Sequence, residues 1–191
     1  SEDHTAILCS RRGCLGLCSY QPVKIEDLIT FPDGLTLAVA SSGITAEKTG
    51  AAMELYNRAS RLARALVEIW NAAEGTSEPH LKAVLSSSAG APAKLRDLIR
   101  QGARSPFPAT DLLDRLEHFV LENEKVLPAA ARALEARDLS EFGRWVDASQ
   151  ESGERLLGNQ VPETVFLARE ARRCGAAAAS AFGAGFGGSV W

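Results

Sequence analysis

The sequence predicts an α+β chain dominated by helix. Three observations carry this reading. Short apolar runs punctuated by turn residues occupy roughly the first 40 positions. From Thr45 onward the apolar residues recur with a period near 3.6. The last 17 residues are almost all small, with glycines crowded at their centre and a short apolar run at the end. Strands, then helices, then one short strand is an α+β order.

The opening residues read as a short helix, with Asp3 as its cap and Thr5, Ala6, Ile7 and Leu8 following. Three strands follow, over Cys14–Tyr20, Val23–Ile29 and Leu35–Ala40, separated at Pro22 and at the Pro32-Asp33-Gly34 turn. Met53, Leu55, Tyr56, Ala59, Leu62, Ala63, Leu66 and Ile69 form the apolar stripe of a long helix, which Gly75–Pro79 breaks. Short helices are expected around Leu81–Leu85 and Leu95. A long helical segment runs from Thr110 to about Arg137 on the stripe Leu112, Leu113, Leu116, Phe119, Val120 and Leu127. Pro128 removes a backbone donor there and predicts a kink or restart. Leu139–Leu157 reads as a helix with Phe142, Trp145 and Val146 inward. A last helix starts at Pro162 and ends at Gly175.

Composition narrows the function classes. The chain has 191 residues, a net charge of -3 and 46% hydrophobic residues. That is enough apolar material for a packed core. Its weak acidity disfavours a broad grip on nucleic acid or on an anionic membrane. No apolar run reaches the roughly 18 residues that a membrane span needs. The start shows neither a signal-peptide pattern nor a Met, and the end stops in an apolar run resembling an unfinished strand. Both ends therefore suggest excision from a longer chain, and the expected location is cytoplasmic. Cys9, Cys14 and Cys18 are spaced C-x4-C-x3-C, which fits neither a plant-type iron–sulfur run nor a structural zinc site. With Cys174 they read as reduced, buried thiols.

Four segments could carry chemistry. Ser42–Thr49 follows a strand and precedes a helix, as a phosphate loop does. However, Ser42 and Glu47 stand where the loop needs glycines, so a polar helix entry is the better reading. Gly183-Ala184-Gly185-Phe186-Gly187-Gly188 has four glycines in six residues, which permits positive φ and close backbone approach. A flexible linker has no need of Phe182 and Phe186, so a packed, functional loop is favoured. Asp3-His4 stands at a helix N-terminus. The amides and dipole there keep a carboxylate charged, which suits a base as well as an ordinary cap. His118 and Glu122 stand one turn apart and lack the second histidine of a zinc helix, so they read as a structural pair. Tyr56 reads as a core residue with its hydroxyl at the edge.

Taken in order, these segments resemble the galactokinases of the GHMP kinase superfamily. Asp3-His4 is similar to the family's catalytic Asp-Gln step, with His4 in place of Gln, and Ala38–Ser42 looks like the strand that follows. Glu54-Leu55-Tyr56-Asn57 resembles the segment whose Tyr contacts the sugar. Arg115, His118, Glu122, Asn123 and Val126 match a family helix, and Arg137-Asp138-Leu139 with Phe142-Gly143 resembles its Gly-Asp-Leu step. Pro162-Glu163 resembles its Pro-Glu turn, and Gly183–Gly188 its third glycine motif.

The resemblance implies part of a ribosomal S5 domain 2-like domain over 1–75, then a GHMP kinase C-terminal domain over 76–191, truncated at its end. It implies ATP- and Mg²⁺-dependent phosphorylation of the C1 hydroxyl of galactose or a related monosaccharide, by a longer kinase. Asp3 would be the catalytic base and a substrate contact, and Tyr56 a second substrate contact. Gly183, Gly185, Gly187 and Gly188 would support the ATP phosphate loop. That loop, the carboxylate that helps hold Mg²⁺ and the arginine partner of Asp3 find no counterpart here, so the metal ligands are expected upstream and the 191-residue chain alone is expected to be inactive. Ser180-Ala181-Phe182 stands where the family has Arg-Met-Thr, so a catalytically inactive sugar and ATP sensor working through protein partners is the alternative. The choice of sugar and the oligomeric state are not legible.

Overall fold

The computed structural model describes residues 2–45 and 51–191, with the side chains of all of these except 2, 3, 51–53 and 56. The elements run α1 (Glu2–Cys9), β1 (Cys14–Tyr20), β2 (Val23–Thr30), β3 (Ala40–Ser41), α2 (Ala51–Glu74), α3 (Leu81–Ser86) and α4 (Ala91–Arg100). Then come α5 (Ala109–Val120), a π turn (Leu121–Val126), α6 (Leu127–Glu135), α7 (Leu139–Ser152), a second π turn (Gly153–Leu157), α8 (Pro162–Arg173) and β4 (Ser189–Val190). The fold is helix-rich α+β, as the periodicities predict.

The strands form two small sheets. β1 and β2 are an antiparallel hairpin running from Cys14 opposite Thr30 to Tyr20 opposite Val23, with a bulge between Leu17 and Cys18. β3 pairs antiparallel with β4, Ala40 opposite Val190 and Ser41 opposite Ser189. The third expected strand is therefore corrected: of Leu35–Ala40 only Ala40 is in a ladder. Alternating apolar residues do not make a strand without a partner, and Leu37 and Val39 stand exposed.

One core lies between α2, α3, α4 and α5. Leu62, Leu66 and Ile69 of the expected stripe are buried, and so are Ala65 and Trp70, which the stripe omitted. They meet Leu81, Val84, Leu85, Leu95, Ile99, Leu112 and Leu116. Leu66, Val84, Leu95 and Leu116 are wholly withdrawn from water. Burial of this kind contributes about 1.5–3 kcal/mol per side chain. Leu55, at the start of the same stripe, remains exposed.

Two expected helices are interrupted. The segment Thr110–Arg137 is α5 and α6 joined by a π turn, in which Leu127 N–H reaches back to Glu122 O. Pro128 stands in the first turn of α6, where its missing N–H costs nothing. The break thus precedes the proline that predicts it. Similarly, α7 ends at Ser152 and a π turn carries the chain to Gly158, whose φ of +64° closes it. The thiols are also corrected. Cys9 and Cys174 are exposed, and Cys14 and Cys18 are half-buried, because the hairpin has little packed against it.

Candidate functional site: the clamped glycine loop

The small-residue tail folds back on itself. Ser180 and Trp191 exchange backbone hydrogen bonds at 3.1 and 2.9 Å, and Phe182 N–H donates to Ser189 O at 2.9 Å. Residues 183–188 are the turn of this hairpin, and β4 on its returning arm pairs with β3. Of the six loop residues all but Ala184 have positive φ, including Phe186 at +60°. Glycine tolerates such a path, and phenylalanine adopts it only where its surroundings impose it.

Three clamps impose it. Gln150, buried on α7, accepts through Oε1 from Ser180 Oγ and Ala181 N–H, both at 3.0 Å. Asn159, buried after the second π turn, donates through Nδ2 to Ala184 O at 3.1 Å and accepts from Phe186 N–H at 2.5 Å. A Cβ on Gly185 would lie 2.0 Å from Asn159 O, so only glycine fits there. On the far side, Ser42 N–H and Oγ both donate to Gly188 O, and Gly188 N–H donates to Ile44 O at 2.8 Å.

The scaffold behind the loop is equally specific. Arg172 of α8 forks onto Asp147 of α7, with Nε at 2.9 Å from Oδ1 and Nη2 at 2.9 Å from Oδ2. Its Nη1 also donates to Ala176 O and Ala177 O. A Cβ on Gly143 would lie 2.1 Å from Ala177 O, which explains the glycine of the Phe142-Gly143 step. Such a bidentate pair fixes geometry as well as charge. It carries the chain from α8 into the hairpin.

A cleft of about 400 Å³ opens beside the loop. Its walls are the start of α2 (Leu55, Arg58), α5 (Asp111, Arg115) and the glycine loop (Gly183, Phe186). Arg58 pairs with Asp111. Arg115 donates to Ala59 O at 3.1 Å, lies 3.4 Å from His118 Nδ1 and stacks over the Phe119 ring. Burial, and secondarily the Arg115 charge, push the His118 pKa down to about 4, so the imidazole is neutral. Burial alone holds the Arg115 pKa below its usual value.

Gly183 stands in the cleft wall, Gly185 against Asn159, and Gly187 and Gly188 on the path to β4. The Asp3 and Tyr56 side chains lie outside the described residues, although Asp3 belongs to α1 and Tyr56 to α2. Ser42 of the rejected phosphate loop is a loop clamp, and its residues 46–49 lie outside the described residues. Glu122 accepts from Ser152 Oγ at 3.3 Å, while His118 faces Arg115. Gln150, Asn159 and Arg58 also belong to the site and are not among the residues that the sequence singles out. Only Asn159 carried a signal, as a polar residue between Gly158 and the helix start at Pro162.

Among the described residues no group of three His, Cys, Asp or Glu side chains could hold a metal ion. No helix among them is long and apolar enough to cross a membrane.

Comparison with known proteins places this geometry. Residues 130–190, which include α7, α8 and the clamped loop, match the family described as GHMP kinases C terminal. The structure of Lactococcus lactis galactokinase complexed with galactose is similar over 93% of this chain, with a TM-score of 0.70 and 21% sequence identity. This chain covers 42% of that galactokinase. No curated protein sequence matches. Residues 130–190 are thus similar to the GHMP kinase C-terminal family, and the chain has a fold like that of this galactokinase.

Proposed function

We propose that the chain is the carboxy-terminal part of an ATP-dependent sugar kinase, which phosphorylates the C1 hydroxyl of galactose or a related monosaccharide. The observation that carries this reading is the glycine loop. It lies within the matched family segment and is held in a strained path by Gln150, Asn159 and Ser42. A loop so fixed suits phosphoryl transfer, which depends on positioning and charge stabilisation. The galactokinase with the similar fold was crystallised with galactose, which favours a monosaccharide.

In this reading Asp3 orients or deprotonates the attacking hydroxyl, and Tyr56 packs against the sugar. The backbone of Gly183, Gly185, Gly187 and Gly188 supports the phosphate loop of a segment outside this chain. When bound, ATP would supply the phosphoryl group and Mg²⁺ would offset its charge. The metal ligands belong to that outside segment. The division into 1–75 and 76–191 goes with the same reading, as does activity in the cytoplasm.

The test is sugar-dependent ADP release by the full-length protein and by its Asp3→Asn variant. Loss of turnover by about 10²–10⁴ with sugar binding retained supports Asp3 as the base. Unchanged turnover in the variant refutes that role. Sugar and ATP binding without turnover in the parent supports the sensor instead.

A further inference from the structure

The arm that leads into the glycine loop alternates in where its amides point. Ser180 and Phe182 N–H donate across the hairpin to Trp191 O and Ser189 O. Ala181, between them, turns its N–H away from that ladder, as alternate residues of an antiparallel strand do. The acceptor that meets it is Gln150 Oε1 of α7 at 3.0 Å, which also takes the Ser180 hydroxyl at 3.0 Å. Gln150 is only 6% exposed, so its amide has little water to turn to. A glutamine amide has a donor end and an acceptor end of nearly the same shape. Only the acceptor end serves the hairpin. Turned over, the amide would set its NH2 group against the Ala181 N–H, donor against donor.

The far end of the amide decides which way it stands. Gln150 Nε2 donates to Glu154 Oε1 at 3.1 Å, from α7 into the second π turn. A carboxylate accepts and cannot donate, so it holds the NH2 end alone. Glu154 is itself fixed: its second oxygen takes Arg169 Nη2 of α8 at 2.7 Å, and its side chain is 14% exposed. The geometry points to Glu154 as a positioning residue of the glycine loop, acting through the Gln150 amide that it orients. The relay runs from α8 through Glu154 and Gln150 to the arm that enters Gly183. Asn159 and Ser42 hold the loop at its turn and beyond it, and Glu154 sets the arm on which it begins. The effect on phosphoryl transfer rests on the kinase reading above, whereas the orientation of the amide does not.

Three variants of the full-length protein test this, read by hydrogen exchange at the Ala181 N–H and by turnover. Glu154→Leu removes the acceptor and frees the amide to turn. Gln150→Glu still accepts from the hairpin but sets a second carboxylate against Glu154. The double variant, Gln150→Glu with Glu154→Gln, exchanges the two groups and restores every match. Its carboxylate accepts from Ser180, Ala181 and the new amide, whose carbonyl faces Arg169. Exchange at Ala181 is expected to quicken about tenfold in each single variant and to return to the parent rate in the double one. The kcat is expected to follow the same order, falling about tenfold or more in the single variants while the KM for the sugar holds. A general loss of packing would not be rescued by exchanging the groups. Unchanged exchange in Glu154→Leu overturns the inference. So does a double variant that exchanges as fast as Gln150→Glu, or that melts no higher. Exchange that follows the relay while kcat stays unmoved overturns the positioning role in turnover. A parent without turnover refutes the kinase reading, and the exchange rates still decide whether Glu154 positions the loop.

Discussion

Ser42 and Gly188 are joined through one oxygen: Gly188 O accepts from the Ser42 N–H at 2.9 Å and from its hydroxyl at 2.7 Å. The two residues are 146 positions apart. This contact ties the amino-terminal strand segment to the glycine loop. Replacing Ser42 with Ala removes the hydroxyl bond and leaves the backbone bond. The expected loss is about 0.5–1.5 kcal/mol of stability, read by chemical denaturation, with faster hydrogen exchange at Gly188 N–H.

Gly183 and Gly185 share a positive φ but not their surroundings. An added Cβ meets nothing within 4 Å at Gly183, and a carbonyl at 2.0 Å at Gly185. Gly183→Ala is therefore expected to cost only about 1 kcal/mol, for its backbone conformation. Gly185→Ala adds a backbone clash and is expected to cost roughly 2–4 kcal/mol or to displace the loop from Asn159. Paired denaturation curves check this, and equal costs would contradict the clamp.

Arg137 is held at a φ of +58° between α6 and α7, where Asp138 caps α7 by accepting from Glu141 N–H at 2.9 Å. A left-handed arginine is strained, whereas glycine adopts such a path freely. Arg137→Gly is expected to stabilise the chain by up to about 1 kcal/mol, the strain relief being partly offset by the greater freedom of glycine when unfolded. A lowered melting temperature would contradict this.

His118 gives the fold a pH dependence. Its native pKa of about 4 lies below the ordinary histidine value of 6.5. Between these values the unfolded chain binds more protons, so stability is complete above about pH 6.5 and falls as pH drops towards 4. With allowance for partial solvent screening, the expected loss is about 1–2 kcal/mol. It is read from denaturation midpoints at pH 7 and pH 4.5, and His118→Gln is expected to flatten that part of the slope.

What was legible in the sequence follows from how local each signal is. The hairpin and α3, α4 and α8 come from turn residues and periodicity within a few positions, and they stand where expected. The glycine loop is visible because its backbone needs glycine. Its clamps are not, since Gln150 and Asn159 act across 25 residues or more and look like ordinary polar positions. The π turns escape for a related reason. A π turn keeps the apolar rhythm of a helix, and Gly153 is explained only by Asn159 Oδ1, 3.1 Å from where its Cβ would stand. Leu35–Val39 has the pattern of a strand but lacks a partner among the described residues, and pairing is not encoded in one segment alone.

We propose that this chain is part of a sugar kinase. The most direct measurement of this is phosphorus NMR of the full-length protein with galactose, ATP and Mg²⁺. A new resonance from a sugar phosphorylated at C1 is expected, growing as ATP becomes ADP. An ATP spectrum unchanged with galactose and related monosaccharides, in a folded protein that binds them, would contradict it.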